Sequence, residues 1–145
     1  MAVPEKVAEY LKEADPIPIH LELFTTKVGF LTGSRAFGVG APDTDYDYVM
    51  FESQFRSMHV DACYEGGNYD FEGYRSWYLK CGDGKVFNVL SMKSKWYWDQ
   101  YQYATQKILT NIRESKPYRE NIKFKDFRVD EFEKYKALFA AGVRD

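Results

Sequence analysis

An α/β fold of the α+β kind, a small mixed sheet with flanking helices, is what this sequence predicts, and three stretches predict it. Residues 28–52, VGFLTGSRAFGVGAPDTDYDYVMFE, read as an apolar strand, a turn-rich loop and a second strand. Residues 71–92 hold two strand-like runs around Cys81-Gly82-Asp83-Gly84, a strong hairpin signal. Residues 95–114 carry Tyr97, Tyr101, Ala104 and Ile108 at i, i+4, i+7 and i+11, the period of one helix face.

At 145 residues, 45% hydrophobic and 29% charged, the chain fits one domain, 1–145, with a single core, and the composition excludes a disordered chain. No apolar run approaches the ~20 residues a membrane-spanning helix needs. The opening MAVPEKVAEYLKEAD lacks the basic and apolar regions of a secretion signal, so a cytoplasmic setting is expected. A net charge of −2 argues against strong nonspecific nucleic-acid binding, which rests on many Lys and Arg contacts to phosphate. Cys63 and Cys81 lack C-x-x-C spacing and a nearby His, and are expected as reduced thiols rather than a zinc site or a disulfide.

Taken in order, residues 3–14 form a first helix. Val3, Val7, Tyr10, Leu11 and Ala14 share a face, Pro4 is tolerated in the first turn, and Pro16 and Pro18 end it. Residues 17–26, IPIHLELFTT, fit neither period and stay open between a short helix and extended chain, with His20 structural or solvent-facing. Residues 27–32 make the first strand, 34–37 a helical turn, 38–44 a loop with Asp43 as a turn residue, and 45–51 the second strand. Residues 53–69, ending near Gly66-Gly67, read as a loop or a short helix followed by a turn.

The hairpin strands 71–80 and 85–92 follow, and then Ser94 caps the helix 95–114, whose aromatic stripe reads as core rather than a base-stacking platform. Beyond Pro117, residues 118–128 interleave basic and aromatic side chains, and acids among them favour a solvated connector over a nucleic-acid surface. Asp130 is expected to cap a closing helix with Phe132, Tyr135 and Phe139 on one face, stopped at Gly142.

The chemistry concentrates in the first of the three stretches. Side chains on a strand alternate, so Asp45 and Asp47 project from one face about 7 Å apart. Two carboxylates there repel unless a cation sits between them. Mg²⁺, or Mn²⁺ in its place, suits, because Mg²⁺ takes one or two carboxylates and completes its shell from substrate phosphates. Gly33 lets the backbone approach a ligand closely, and Ser34 lies where a strand gives way to a helix start, whose free N–H groups attract phosphate oxygens. Arg35 either clamps a phosphate oxygen or faces solvent.

Gly33-Ser34-Arg35-Ala36-Phe37-Gly38, followed by Thr44-Asp45-Tyr46-Asp47, resembles the signature of the DNA polymerase β-type nucleotidyltransferase superfamily. The resemblance covers roughly residues 27–110, is strongest over 29–50, and points to the small predicted nucleotidyltransferases found in bacteriophage genomes. It implies Asp45 and Asp47 as catalytic metal ligands, and Gly33, Ser34 and Arg35 as nucleotide-binding residues. It also implies transfer of a nucleoside monophosphate from a nucleoside triphosphate to a hydroxyl acceptor on a protein, an RNA or a small molecule, with release of pyrophosphate.

Active members of that superfamily carry a third carboxylate on a strand after such a hairpin, and here the run Val86-Phe87-Asn88-Val89-Leu90 offers Asn88. An amide gives a metal a neutral oxygen but is no base at neutral pH. Nucleotide binding is therefore expected to survive more readily than transfer, with Glu52, Asp70 or Glu72 as the alternatives for an acid that substitutes from another strand position. The alternative is a catalytically degenerate fold, serving as a binding or regulatory module for a nucleotide or for a host or phage protein.

Overall fold

Proline and burial set the first boundary. Helix α1, Glu5–Glu13, starts after Pro4 and buries Val7 and Leu11, and Ala14 is already extended ahead of Pro16. A computed structural model of the chain describes residues 3–16, 29–41, 44–82 and 84–145. The expectations for residues 17–26 with His20, and for Asp43, fall outside the described residues. Strand β1, Gly29–Thr32, runs into a single helical turn, α2, Gly33–Ala36; β2, Tyr46–Phe51, runs into α3, Glu52–Ser57. Strands β3, Cys63–Gly66, β4, Tyr74–Lys80, and β5, Val86–Met92, lead to α4, Lys95–Glu114, α5, Lys116–Asn121, and α6, Lys125–Ala140.

The five strands form one mixed sheet in the order β1-β2-β5-β4-β3. Only the β2/β5 pair is parallel, with Asp47 opposite Asn88, while β1/β2, β4/β5 and β3/β4 are antiparallel. One row across the sheet therefore reads Thr32, Asp47, Asn88, Tyr78.

Strand alternation sorts the side chains into two layers. Tyr48, Met50, Leu79, Phe87 and Val89 pack on one face beneath Phe55 of α3 and the chain that follows it. On the other face Val49, Leu90 and Met92 meet Tyr101 of α4, while Tyr78 meets Val7 and Leu11 of α1. Helices α4 and α1 thus cover the two ends of this face, and Asp47, Ser76 and Asn88 lie on the sheet between them.

Helix α4 starts at Ser94, whose Oγ accepts from the Tyr97 N–H, and buries Tyr101, Ala104 and Ile108, so the aromatic stripe is core as expected. The Thr105 hydroxyl donates to the Tyr101 carbonyl at 2.8 Å, which leaves its oxygen to accept from the Thr32 hydroxyl at 2.7 Å and ties the end of β1 to α4. Cys63 and Cys81 are not in a disulfide.

Three expectations are corrected. Residues 53–69 hold a strand besides the short helix: β3 pairs with β4 on the sheet edge, with an irregularity between Tyr64 and Gly66. The stretch 118–128 is no connector, because Ser115 caps α5 by accepting from the Tyr118 N–H and Ile122 is buried beside Phe37 and Ile108. Asp130 lies inside α6 rather than at its cap; the helix begins at Lys125, after Phe124, with no side-chain cap. The end at Gly142 is as expected, with φ +98 and the Gly142 and Val143 N–H groups closing on the Phe139 and Leu138 carbonyls.

Candidate functional site

Asp45 immediately precedes β2 and Asp47 is its second residue, so alternation brings both to the face that α1 and α4 leave between them. Asp45 is only 2% exposed, while Asp47 is half-buried and keeps an edge on a cleft. Burial pushes the Asp47 carboxyl up to about 7, and the neighbouring Asp45 charge pushes the same way. The hydrogen bond from Asn88 opposes them. Burial also raises Asp45, against the pull of Arg35 among others.

Asn88 stands where the third carboxylate was expected, and its amide is committed at both ends. The Ser76 hydroxyl donates to Asn88 Oδ1 at 2.6 Å, and Asn88 Nδ2 donates to Asp47 Oδ1 at 3.3 Å. Asn88 therefore presents an N–H, not an oxygen, to Asp47.

Gly33 sits against the same carboxylate from the other side. Its φ is +71, and a Cβ built there would run into the Asp47 carboxylate. The close approach expected at Gly33 is thus made first to the protein's own acid. Arg35 turns away from the cleft: its Nε and Nη2 donate to the Thr44 carbonyl at 3.1 and 2.7 Å, and its guanidinium lies 4.4 Å from the centre of the Tyr46 ring. It pins the loop end just before Asp45.

The cleft has a volume of about 330 Å³. Gly33, Ser34, Asp47 and Asn88 lie along its sheet side, and Lys125, Arg128 and Glu133 reach it from α6. Arg128 Nη1 also donates to the Ile122 and Lys123 carbonyls, which closes the end of α5 and fixes the side chain. Sequence reasoning missed these three α6 residues. The signal was the basic and aromatic run at 118–128, and it became a site only because Lys125 and Arg128 fall three apart on a helix.

No protein-family model, curated protein or solved structure matches this chain.

The other acids lie elsewhere. Glu52 pairs with Arg56 at 2.9 Å and accepts from the Ser91 hydroxyl at 3.2 Å on the opposite face of the sheet. Asp70 is exposed beside Lys93, at 3.7 Å. Glu72 lines a second cavity next to Tyr74, whose hydroxyl is pushed up to about 12 by burial and then by that carboxylate. Among the described residues no group of three or more His, Cys, Asp and Glu side chains is arranged to hold a metal. Asp47 is the carboxylate that lines the cleft, with the buried Asp45 charge beside it, and one or two protein carboxylates is the number that an ion such as Mg²⁺ takes.

Among the described residues no helix is long and apolar enough to cross a membrane.

Proposed function

We propose that the cleft binds a nucleoside triphosphate with Mg²⁺ or Mn²⁺, and that the protein is a DNA polymerase β-type nucleotidyltransferase acting on a hydroxyl acceptor. The observation that carries this reading is Asp47 on the sheet, with the buried Asp45 charge close by, facing Lys125 and Arg128 of α6 across a cavity of about 330 Å³. Charges of both signs on opposite walls suit a metal polyphosphate, and few other small ligands need both.

In this reading Asp45 and Asp47 hold the cation, with Asn88 keeping the Asp47 carboxylate oriented through its N–H. When bound, the cation supplies charge neutralisation at the phosphates and lowers the pKa of an oxygen it polarises. Gly33 and Ser34 meet the β- and γ-phosphates, and Lys125 and Arg128 offset their charge. Phe37, Tyr101 and Phe132 give the cleft apolar walls for a base. The acceptor hydroxyl gives up its proton to a base at the site, its oxygen forms a bond to the α-phosphorus, the bond between the α-phosphorus and the bridging oxygen breaks, and pyrophosphate leaves with that electron pair. Orientation and charge stabilisation supply most of the acceleration. On this reading the protein works in a cytoplasm, that of the host for a phage-encoded chain.

A second reading has one observation in its favour: Asn88 replaces the third acid and donates to Asp47. It gives a module that binds a nucleotide, or a host or phage protein, without transfer. Pyrophosphate release from each of four NTPs with Mg²⁺ or Mn²⁺, using host lysate as acceptor, separates the two. Release by wild type that disappears in Asp45→Asn/Asp47→Asn supports the transferase. Metal-dependent NTP binding without release supports the module, and binding unchanged in the double variant removes the site assignment altogether.

A further inference from the structure

Next to the cleft lies a larger cavity of about 540 Å³, formed by the start of β4, the first turns of α4 and the second half of α6. We infer that this cavity is the acceptor subsite, and that it takes a small hydroxyl compound with a flat apolar body and a protonated amine. The inference rests on the transferase reading above.

Continuity comes first. Tyr74, Tyr101 and Glu133 line both cavities, so the two adjoin at these three side chains. The volume is that of a small-molecule site rather than a protein-docking surface.

The walls define the body of the ligand. Phe71 is 86% exposed and Trp96 44% exposed, large apolar surfaces left in water at the rim. Trp96 is held edge-on against Tyr97 and Phe139, with ring centres 5.0 and 5.6 Å apart, so a flat molecule meets a fixed platform.

Charge selects the amine. The lining carries Glu72 and Glu133 against Lys136. The Lys136 ammonium is 3.6 Å from Glu133 and lies 4.9 Å from the centre of the Tyr101 ring, so this cavity already seats one ammonium on an aromatic face. With Glu72 in excess, the cavity repels a phosphate-bearing acceptor such as an RNA end and attracts a cation.

Among the described residues Glu133 is the carboxylate shared by the two cavities. In the transfer step the acceptor oxygen bonds to the α-phosphorus and its proton passes to the Glu133 carboxylate. The α–β anhydride bond breaks, and its electron pair leaves with pyrophosphate.

The test uses the full chain and two probes of similar shape and opposite charge, tyramine and 3-(4-hydroxyphenyl)propionate. Binding is followed by NMR at the Trp96 indole N–H and the Glu72 amide. Tyramine is expected to shift both saturably, with the anion about tenfold weaker and Glu72→Gln weakening tyramine about fivefold. No saturable shift at Trp96, or equal affinity for the anion, overturns the inference. ATP with Mg²⁺ is titrated in parallel at the Gly33 amide. ATP bound without tyramine overturns this inference alone, whereas tyramine bound without ATP overturns the acceptor role together with the nucleotide reading. Glu133→Gln is expected to slow transfer to tyramine about a hundredfold.

Discussion

Asp47→Asn is expected to stabilise the metal-free protein at neutral and alkaline pH, although it alters the centre of the candidate site. The carboxyl titrates near 7 in the folded chain against an ordinary value of 3.8, so the native state holds this proton more tightly than the unfolded chain. The associated stability is complete below about pH 3.8 and is lost as pH rises through about 7. At about 1.36 kcal/mol per pH unit, the loss above pH 7 is at most about 4 kcal/mol, and solvent at the mouth of the cleft screens it to roughly 2–3 kcal/mol.

Asn at this position keeps an oxygen for the Asn88 N–H and never ionises. Urea unfolding in EDTA at pH 5 and pH 8 reads the difference directly. Wild type should lose about 2 kcal/mol more than the variant between those two values, and the variant should be the more stable protein at pH 8. A variant less stable than wild type at pH 8, or a gap between the two that does not change with pH, would refute the account of a desolvated, repelled carboxylate. Mg²⁺ should reverse the order: at about one hundred times its Kd it adds roughly 2.7 kcal/mol to wild type and nothing to the variant.

Gly33→Ala should cost about 2–4 kcal/mol in urea unfolding and abolish ATP binding, because the new Cβ meets the Asp47 carboxylate at a positive φ. Gly84→Ala, at φ +82 with open space around it, should cost only about 1 kcal/mol and leave ATP binding intact. Asn88→Asp places a third carboxylate beside Asp47 and should destabilise the EDTA-treated protein at pH 8 by about 2 kcal/mol, with a larger Mg²⁺-induced rise in Tm than wild type shows. Lys125→Ala should weaken ATP–Mg²⁺ binding about five- to tenfold by calorimetry, the factor shrinking as salt is raised, with little change in Tm.

The elements legible in the sequence were those with a strong period or a hard stop. Helix α4 was readable to the residue because Ser94 caps it and Tyr101, Ala104 and Ile108 repeat at helical spacing. The hairpin strands and β2 were readable because apolar runs end in glycine or acid. Strand β3 was not: Cys63-Tyr64-Glu65-Gly66 has no alternation, and it is held by pairing with β4 and by Tyr64 against Trp77, whose ring centres are 5.0 Å apart. Helix α6 was displaced because its charged first turn looks like a connector, and Phe127 finds its partners, Tyr118 and Ile122, only once α5 has folded back. Within the candidate site, Asp45 and Asp47 follow from strand spacing and Gly33 from its turn, both local, whereas Asn88 entered only through the family resemblance. The α6 side of the cleft depends on α6 packing back on α4, which sets it opposite sheet residues some eighty positions earlier, and a single sequence carries no signal for that.

The single parallel pair in the sheet has a kinetic consequence. Asp47 and Asn88 are neighbours only after the chain between β2 and β5 has closed on itself, with α3, β3 and β4 inside the loop. Non-local parallel pairing of this kind is slow to form, because the entropy of closing the loop is lost before the contact rewards it. The hairpin β4/β5, linked by only a few residues, is expected to form early and to carry Asn88 and Ser76, which are bonded to each other in the folded chain. Half of the site thus waits, assembled, for the strand bearing the acids. Recovery of ATP binding during refolding should lag the burial of Trp77 and follow the docking of β2.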